Sequence, residues 1–122
     1  MSKKILLVDD EEDIRKLVTG RLKLNGYEVI TAIDGEDGLS KARTEVPDLI
    51  ILDLMLPKID GYKVCRMLKF DVNFKHIPII LFTAKAEEED IKTGMEVGAD
   101  AYLAKPFEPQ VLLDKVKGLL QV

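Results

Sequence analysis

The chain of 122 residues has few of the features that cross-link a protein or anchor it to a membrane. Its single cysteine, Cys65, cannot form an internal disulfide and does not belong to a cysteine cluster of the kind that holds structural zinc. No apolar run approaches the roughly 20 residues that span a bilayer. The apolar run near the start, Ile5–Val8, is followed at once by acids, unlike a signal peptide. We therefore expect a soluble, cytoplasmic protein.

The chain also lacks an excess of positive charge. Lysine and arginine number 18 against 22 acids, which gives a net charge of −4. This balance argues against a domain that itself grips nucleic acid, and against an anionic membrane surface as partner. Hydrophobic residues make up 47% of the sequence, and we find no linker, repeat or low-complexity segment. A chain of this length can bury a core unaided, so we expect residues 1–122 to form one domain.

What the sequence does contain is a regular alternation of short apolar runs and longer amphipathic stretches. Continuously apolar runs are typical of strands buried on both faces, as in a parallel sheet. The predicted strands are Lys4–Val8, Glu28–Ala32, Leu49–Leu52, Ile77–Phe82 and Ala101–Ala104. Five strands alternating with helices predict an α/β fold, a parallel sheet with helices on both faces.

The stretches between the strands repeat every three to four residues, the spacing of amphipathic helices. Asn25-Gly26, Pro47 and Gly98 are typical helix-ending residues. The positions that keep the helical spacing are Ile14, Leu17, Val18, Arg21, Leu22 and Leu24; Gly38, Leu39, Ala42 and Val46; Val64, Met67 and Leu68; Ile91 and Met95; and Val111, Leu112, Val116, Leu119 and Leu120.

Polar residues follow four of the five predicted strands. In sheets of this type ligands bind outside the carboxyl ends of the strands. We therefore expect three acids, a hydroxyl and an amine to converge on one edge of the sheet. The residues at these ends are Asp9 and Asp10, Asp53, Thr83 and Ala84, and Lys105 and Pro106.

Such a set of groups suits phosphoryl transfer. Clustered carboxylates repel one another and favour a divalent cation, and all-oxygen ligands suit Mg²⁺. An aspartate can act as a nucleophile and form an acyl phosphate. A hydroxyl and an ammonium can bind the remaining phosphoryl oxygens. Positioning and charge neutralisation are what phosphoryl transfer mainly requires.

Five motifs along the chain give it a family resemblance. From Lys3 to Leu120 it resembles the receiver domain of two-component response regulators, of the chemotaxis-regulator type. The resemblance implies a flavodoxin-like, doubly wound (βα)5 fold whose five parallel strands lie in the order 2-1-3-4-5. The motifs are Ile5–Asp10, Asp48–Asp53, Met55-Leu56-Pro57 with Asp60-Gly61, Thr83-Ala84, and Gly98–Tyr102 followed by Lys105-Pro106-Phe107.

The resemblance assigns the acids to a metal and a phosphoryl acceptor. It implies that Asp53 is the phosphoacceptor and also a magnesium ligand. Asp10 would bind Mg²⁺ directly, Asp9 would bind it through water, and the backbone carbonyl of Met55 would be a further ligand.

The resemblance also assigns the other residues at this edge. Thr83, Ala84 and Lys105 would contact the phosphoryl group, and Tyr102 would change rotamer with the switch. The bond between Lys105 and Pro106 would be cis, an uncommon state that rests on the family alone.

The implied function is that of a phosphorylation switch rather than a turnover enzyme. A sensor histidine kinase or phosphotransfer protein would donate the phosphoryl group to Asp53. The face built from the fourth helix, fifth strand and fifth helix would then signal to an output domain or downstream protein. Phosphorylation-dependent homodimerisation stays open, as does the choice between a stand-alone receiver and part of a larger regulator. We expect no direct nucleic-acid or membrane binding.

Structural roles remain as alternatives for several of these residues. Asp9 and Asp10 would also serve as caps of the first helix, and Thr83 as a cap of the fourth. Tyr102 would also fit an ordinary half-buried strand position. A separate hypothesis concerns Met55 and Lys85, which would shield the phosphoryl group from water.

Two other functions compete with the switch. Haloacid-dehalogenase-like phosphatases place a second aspartate two residues after the nucleophile, but this position is Met55, which cannot transfer protons. A flavodoxin-like module that binds FMN needs a phosphate-binding loop after the first strand. The acids that follow the first strand here, beginning with Asp9, would repel a phosphate in the absence of metal.

Overall fold

The computed structural model describes residues 2–84 and 88–120. Lys85, and with it the shielding hypothesis, lies outside them. Within these residues no helix is long and apolar enough to cross a membrane. Strands and helices alternate along the described chain as β1 (Lys4–Val8), α1 (Glu12–Leu24), β2 (Glu28–Ala32), α2 (Gly35–Glu45), β3 (Leu49–Asp53), α3 (Gly61–Lys69), β4 (Ile79–Thr83), α4 (Glu88–Glu96), β5 (Ala101–Ala104) and α5 (Pro109–Leu120).

The strands form one parallel sheet in the order β2-β1-β3-β4-β5, which confirms the predicted fold class and strand order. From β1 the chain winds outward in one direction to β2, and β3 then lies on the other side of β1. This reversal is the switch point of a doubly wound sheet. The ends of β1 and β3 therefore flank the crevice in which such folds bind their ligands.

Alternate residues of the three central strands supply two core layers. Leu6, Ile50 and Leu81 belong to the layer that includes residues of α2 and α3. Leu7 and Ile51 belong to the layer that includes residues of α1 and α5. Every residue of β3 and β4 is buried, as predicted for strands covered on both faces. The central strands are thus fixed by packing on both sides, which gives the residues at their ends defined positions.

Two strand boundaries differ from the sequence prediction. The fourth strand begins at Ile79 rather than Ile77, because the Ile77 N–H donates to the Phe74 carbonyl in a turn and Pro78 has no N–H to donate. The third and fourth strands each extend one residue further than predicted. Asp53 and Thr83 are therefore the last residues of their strands rather than the first residues of the loops.

The helices bury fewer of their apolar residues than the helical spacing in the sequence indicated. Val18 and Leu22 are buried in α1, whereas Leu17 and Leu24 on the same helix are exposed. A helix on a sheet buries one stripe, and apolar residues at the margin of that stripe remain in solvent. The same holds for three other predicted positions, which are Met67, Met95 and Val111. Val46 was also predicted to lie on a helix, but it is the exposed residue just after α2.

Candidate functional site

Three of the predicted site residues meet at the carboxyl edge of the sheet. Asp9 directly follows β1 and is fully buried, and Asp53 is the buried last residue of β3. Lys105 follows β5 and extends back across the edge. Its Nζ lies 2.9 Å from Asp9 Oδ2 and 3.2 Å from Asp53 Oδ2. The fold therefore brings together groups that are 96 and 52 residues apart in the chain.

A cluster of four carboxylates surrounds this lysine. Oxygen atoms of Asp9, Asp10, Glu11 and Asp53 all lie within 4.8 Å of one another, with Asp10 and Glu11 exposed. Lys105 pairs with three of the four, including Glu11 at 3.6 Å. Negative charge remains in excess, and the donors are all oxygen. This is a ligand set that suits Mg²⁺.

Glu11 belongs to this cluster, although its position in the sequence suggested only the start of a helix. It occupies the N-cap position of α1 without a side-chain capping bond. Its carboxylate is thus not committed to the helix and pairs with Lys105 instead. The signal in the sequence was the unbroken acidic run that follows β1, of which the third member also reaches the site.

The backbone holds both buried carboxylates by their other oxygen. The Glu11 N–H donates to Asp9 Oδ1 at 2.8 Å, and the Met55 N–H donates to Asp53 Oδ1 at 3.1 Å. Arg15 Nη1 donates to the Asp9 carbonyl at 2.8 Å. Each carboxylate therefore presents Oδ2 to the site in a fixed orientation. Asp9 does not cap α1, because the N-cap is Glu11; Asp9 orders the loop before the helix and also lies in the cluster.

Burial and charge shift two pKa values in the site in the same direction. Burial raises the pKa of Asp9. The hydrogen bond from the Glu11 N–H and the hydrogen bond and charge of Lys105 offset this rise only in part. For Lys105, burial alone would lower the pKa, but the hydrogen bond to Asp9 and the charges of Asp53 and Asp9 raise it above its ordinary value. Lys105 is therefore a fixed ammonium at neutral pH, which is the form that pairs with anionic oxygens.

Thr83 and Ala84 lie one strand away from Asp53. Asp53 is in register with Phe82 of β4, so Thr83 extends one residue beyond it, buried, and Ala84 follows in an exposed position. The Lys105 N–H donates to the Thr83 carbonyl at 2.8 Å, which joins the ends of β4 and β5. The bond between Lys105 and Pro106 is cis.

Tyr102 is partly buried in β5, opposite Leu81, and does not lie at the edge itself. Its ring packs against α4, where a Cβ added to Gly94 would lie 3.1 Å from the ring. The half-buried strand position considered above describes its present placement. The rotamer change on phosphorylation stays a prediction.

The loop after β3 carries Met55 and folds back over the end of its own strand. The Met55 side chain is exposed, while its N–H is bonded to Asp53. At the end of the loop the Gly61 N–H donates to the Leu54 carbonyl at 3.0 Å. A Cβ on Gly61 would overlap the Asp53 carbonyl, so only glycine allows this close approach. The loop thereby keeps the Met55 backbone next to the cluster.

Comparison with known proteins gives a consistent result. The family model described as "Response regulator receiver domain" matches residues 5–117. The chain is 52% identical over 121 residues to the alkaline phosphatase synthesis transcriptional regulatory protein PhoP of Bacillus subtilis, covering 99% of this chain and 50% of that protein. It is 48% identical to the probable transcriptional regulator ycf27 of Cyanophora paradoxa, covering 98% of this chain and 48% of that one. The chain thus spans about half the length of these curated relatives.

Solved structures with the same fold cover 98–100% of the chain. A putative response regulator from Chloroflexus aurantiacus has a TM-score of 0.95 and 38% identity, with full coverage of both chains. The chemotaxis response regulator CheY4 of Vibrio cholerae has a TM-score of 0.92 and 35% identity, covering 98% of this chain and 99% of that one. The BeF3-activated DrrB receiver domain has a TM-score of 0.91 and 38% identity, with full coverage of both.

Proposed function

The chain belongs to the response regulator receiver domain family, and on that premise we propose that it stores a phosphoryl group on Asp53 and signals its presence to another protein or domain. One observation carries the proposal. The Asp53 carboxylate lies 3.2 Å from the Lys105 ammonium within a cluster of four carboxylates. This proximity supports Asp53 as the nucleophile, Lys105 as a partner of the phosphoryl group and the other acids as metal ligands. Receiver domains are in general not ordinary turnover enzymes, and the proposed chemistry here is limited to gain and loss of this one group.

Mg²⁺ is the proposed cofactor, and the residues at the site fit it. Asp9, Asp10 and Asp53 would supply carboxylate oxygens. The Met55 N–H bonds to Asp53, so the Met55 backbone lies close by, and its carbonyl would be a further ligand. Mg²⁺ binds through one or two carboxylates together with phosphate oxygens. When bound, the ion would neutralise charge on the incoming phosphoryl group. Glu11 adds a fourth, exposed carboxylate whose role would be to raise the local concentration of the cation.

The transfer step uses the groups that surround Asp53. A carboxylate oxygen of Asp53 attacks the phosphorus of a phosphohistidine or acyl phosphate donor. A new O–P bond forms, the bond from phosphorus to the donor breaks, and the donor leaves with that electron pair. The Lys105 ammonium then moves from carboxylate to phosphoryl oxygen, with Thr83 and the backbone at Ala84 as further partners.

The proposed output is a change in the α4-β5-α5 face. Thr83 ends β4, Lys105 follows β5, and the Lys105 N–H bonds to the Thr83 carbonyl, so a rearrangement around a phosphoryl group acts on both strands. Tyr102 in β5 packs on α4 and would report that change. Phosphorylation would shift the population between two states of this face.

The proposed partners follow from this scheme. A sensor histidine kinase or phosphotransfer protein would be the donor, and an output domain or downstream protein would receive the signal, in the cytoplasm. Residues 1–122 would act as the one receiver unit, without binding nucleic acid or membrane themselves. A homodimer formed on phosphorylation would use the same α4-β5-α5 face.

The two competing functions receive no support from the site. A phosphatase of the haloacid-dehalogenase type would need an acid at position 55, where the exposed thioether of Met55 stands. An FMN site would need phosphate-binding donors after β1. The residues there are Asp9, Asp10 and Glu11, whose carboxylates all belong to the acidic cluster.

The test is incubation with a small acyl phosphate and Mg²⁺, followed by intact-protein mass spectrometry. The wild-type protein should gain one phosphoryl group, and Asp53→Ala should gain none. Asp48→Ala is the matched control because Asp48 precedes the same strand and bonds to the Lys4 N–H at the opposite edge. Equal phosphorylation of the wild-type and Asp53→Ala proteins would refute the proposal.

A further inference from the structure

Phe82 places an aromatic ring directly beneath the lysine of the site. It is the fourth residue of β4, fully buried, and in register with Asp53 on the neighbouring strand. The Lys105 Nζ lies 4.7 Å from the centre of the Phe82 ring. The ammonium therefore has a π face as a neighbour in addition to the carboxylates of Asp9 and Asp53.

The orientation of the ring is itself fixed. The ring of Phe107 meets the ring of Phe82 edge-on, with centroids 5.9 Å apart and planes at 71°. Only 13% of the Lys105 side chain is exposed, so the ammonium and the ring are largely shielded from water. An ammonium over an aromatic face is attracted by the ring quadrupole, and the attraction grows as water is removed. The contact thus has the geometry and the environment in which it is strongest.

Core packing alone does not require an aromatic residue at position 82. The buried residues of the same layer on the central strands are aliphatic, among them Leu7, Ile51 and Ile80. A leucine would fill a similar place in that layer. It would lack the π face, which is the part of Phe82 that the Lys105 ammonium contacts.

We propose that Phe82 is a positioning residue whose ring face holds the Lys105 ammonium beside Asp53 during phosphoryl transfer. The proposal rests on the phosphoacceptor function proposed above. Lys105 binds the carboxylates of Asp9 and Asp53, and a divalent cation at the acidic cluster would bind the same carboxylates and so weaken their hold on the lysine. The strongly hydrated Mg²⁺ does not compete for the ring. Phe82 therefore keeps the ammonium in place when the carboxylates no longer do.

The contact is tested first without any ligand, by NMR. Protons beside the ammonium, on Lys105 Cε, lie near the ring face and should resonate upfield of other lysines in the chain. Phe82→Leu should return them to the ordinary position, and Phe74→Leu should not. Phe74 is a matched control because it is a partly buried phenylalanine of the other core layer. Ordinary Lys105 Cε–H shifts in the wild-type protein would overturn the proposal, whether or not Phe82→Leu folds.

The functional role is tested by a double-mutant cycle on the rate of phosphorylation by a small acyl phosphate with Mg²⁺. Phe82→Leu should slow the wild-type reaction about five- to thirtyfold, the range between a partly exposed and a desolvated cation–π contact. In a Lys105→Ala background the same change should alter the rate by less than about twofold, since the ring acts through the lysine. An equal effect in both backgrounds would show a packing role only and overturn the inference. Absence of Asp53-dependent phosphorylation in the wild-type protein would instead refute the proposed function, while the NMR result would stand apart from it.

Discussion

Each edge of the sheet holds a shielded lysine that pairs with an aspartate, and the two pairs differ in their surroundings. Lys105 at the carboxyl edge and Lys69 near the amino ends of β4 and β5 have the same side-chain exposure, 13%. Lys69 Nζ bonds to Asp100 Oδ2 at 2.9 Å and to the Ile77 carbonyl at 3.0 Å. Asp100 Oδ2 in turn accepts the Ile79 N–H at 2.8 Å. Among the described residues, Lys69 thus pairs with one carboxylate, whereas Lys105 pairs with three.

The difference separates an ion pair with a structural role from one at the proposed functional site. At the amino edge one positive and one negative charge satisfy each other and two backbone groups, which ties the end of α3 to the starts of β4 and β5. Within the described part of the chain, the four carboxylates of the acidic cluster outnumber the cations beside them, Lys105 and Arg15. Unbalanced charge costs stability unless a ligand supplies its complement. The surplus therefore supports the proposal that a divalent cation binds at this edge.

The largest effect that should separate the two lysines is on phosphorylation. Lys105→Ala should lower the rate of phosphorylation by an acyl phosphate at least about tenfold, because a charge-assisted hydrogen bond to the phosphoryl oxygens contributes about 1.5–3 kcal/mol. Lys69→Ala should leave the rate within about twofold of the wild-type value. The rates are compared by quenched time courses and mass spectrometry. A similar loss of rate in both variants would mean that the two edges are not functionally distinct.

An intermediate effect should appear in the free energy of unfolding measured without metal, when an aspartate is changed at one edge or at the other. Asp100→Asn should lower the free energy of unfolding by about 1–2 kcal/mol, since it weakens the bonds to Lys69 and the Ile79 N–H. Asp10→Asn should leave it unchanged or raise it by up to about 0.5 kcal/mol, because it relieves repulsion in the acidic cluster. Urea unfolding in the presence of a chelator measures both values.

Added Mg²⁺ supplies the control for that comparison. The ion should stabilise the wild-type and Asp100→Asn proteins alike, because binding to the folded state alone raises its stability. The stabilisation should be reduced in Asp10→Asn. A marked loss of stability in Asp10→Asn without metal would contradict the interpretation of the acidic cluster as a site of unrelieved charge repulsion.

The smallest expected effect is on the reactivity of the Cys65 thiol at the amino edge. Cys65 is buried in α3 near the Lys69–Asp100 pair. Burial raises the pKa of the Cys65 thiol from 9.0 to about 12. A folded-state pKa above the unfolded value contributes stability below pH 9, and this contribution is lost as the pH rises toward 12. At pH 8 a disulfide reagent should therefore react with Cys65 only after unfolding. Rapid reaction of the native protein, followed by absorbance, would show that this region opens readily.

The periodicity of the sequence was sufficient to predict the parallel sheet and the edge at which the site lies. The bounds of β1, β2 and β5 agree with the prediction, because local apolar runs alone define them. Asp9, Asp53 and Lys105 could be placed together since the ends of parallel strands share one edge. Their assigned roles remain proposals, and the structure shows only their proximity.

Other features depend on tertiary contacts that no local pattern encodes. The pairing of Lys69 with Asp100 joins residues 31 positions apart, neither of which ends a predicted strand on the ligand side. In the sequence Phe82 resembles any other buried apolar residue. Its contact with Lys105 follows from the register of β4 with β3, which sets Phe82 beside Asp53. The exposure of Leu17 and Leu24 likewise depends on which stripe of α1 faces the sheet, and the apolar spacing does not specify how wide that stripe is.

The central claim is that Asp53 carries the phosphoryl group, and the most direct measurement identifies the modified residue itself. The protein is treated with an acyl phosphate and Mg²⁺, reduced with borohydride to convert an aspartyl phosphate to homoserine, and mapped by peptide mass spectrometry. Our account predicts homoserine at position 53 and a large decrease when Mg²⁺ is omitted. Modification at Asp9 or Asp10 in place of Asp53, or none at all, would contradict it.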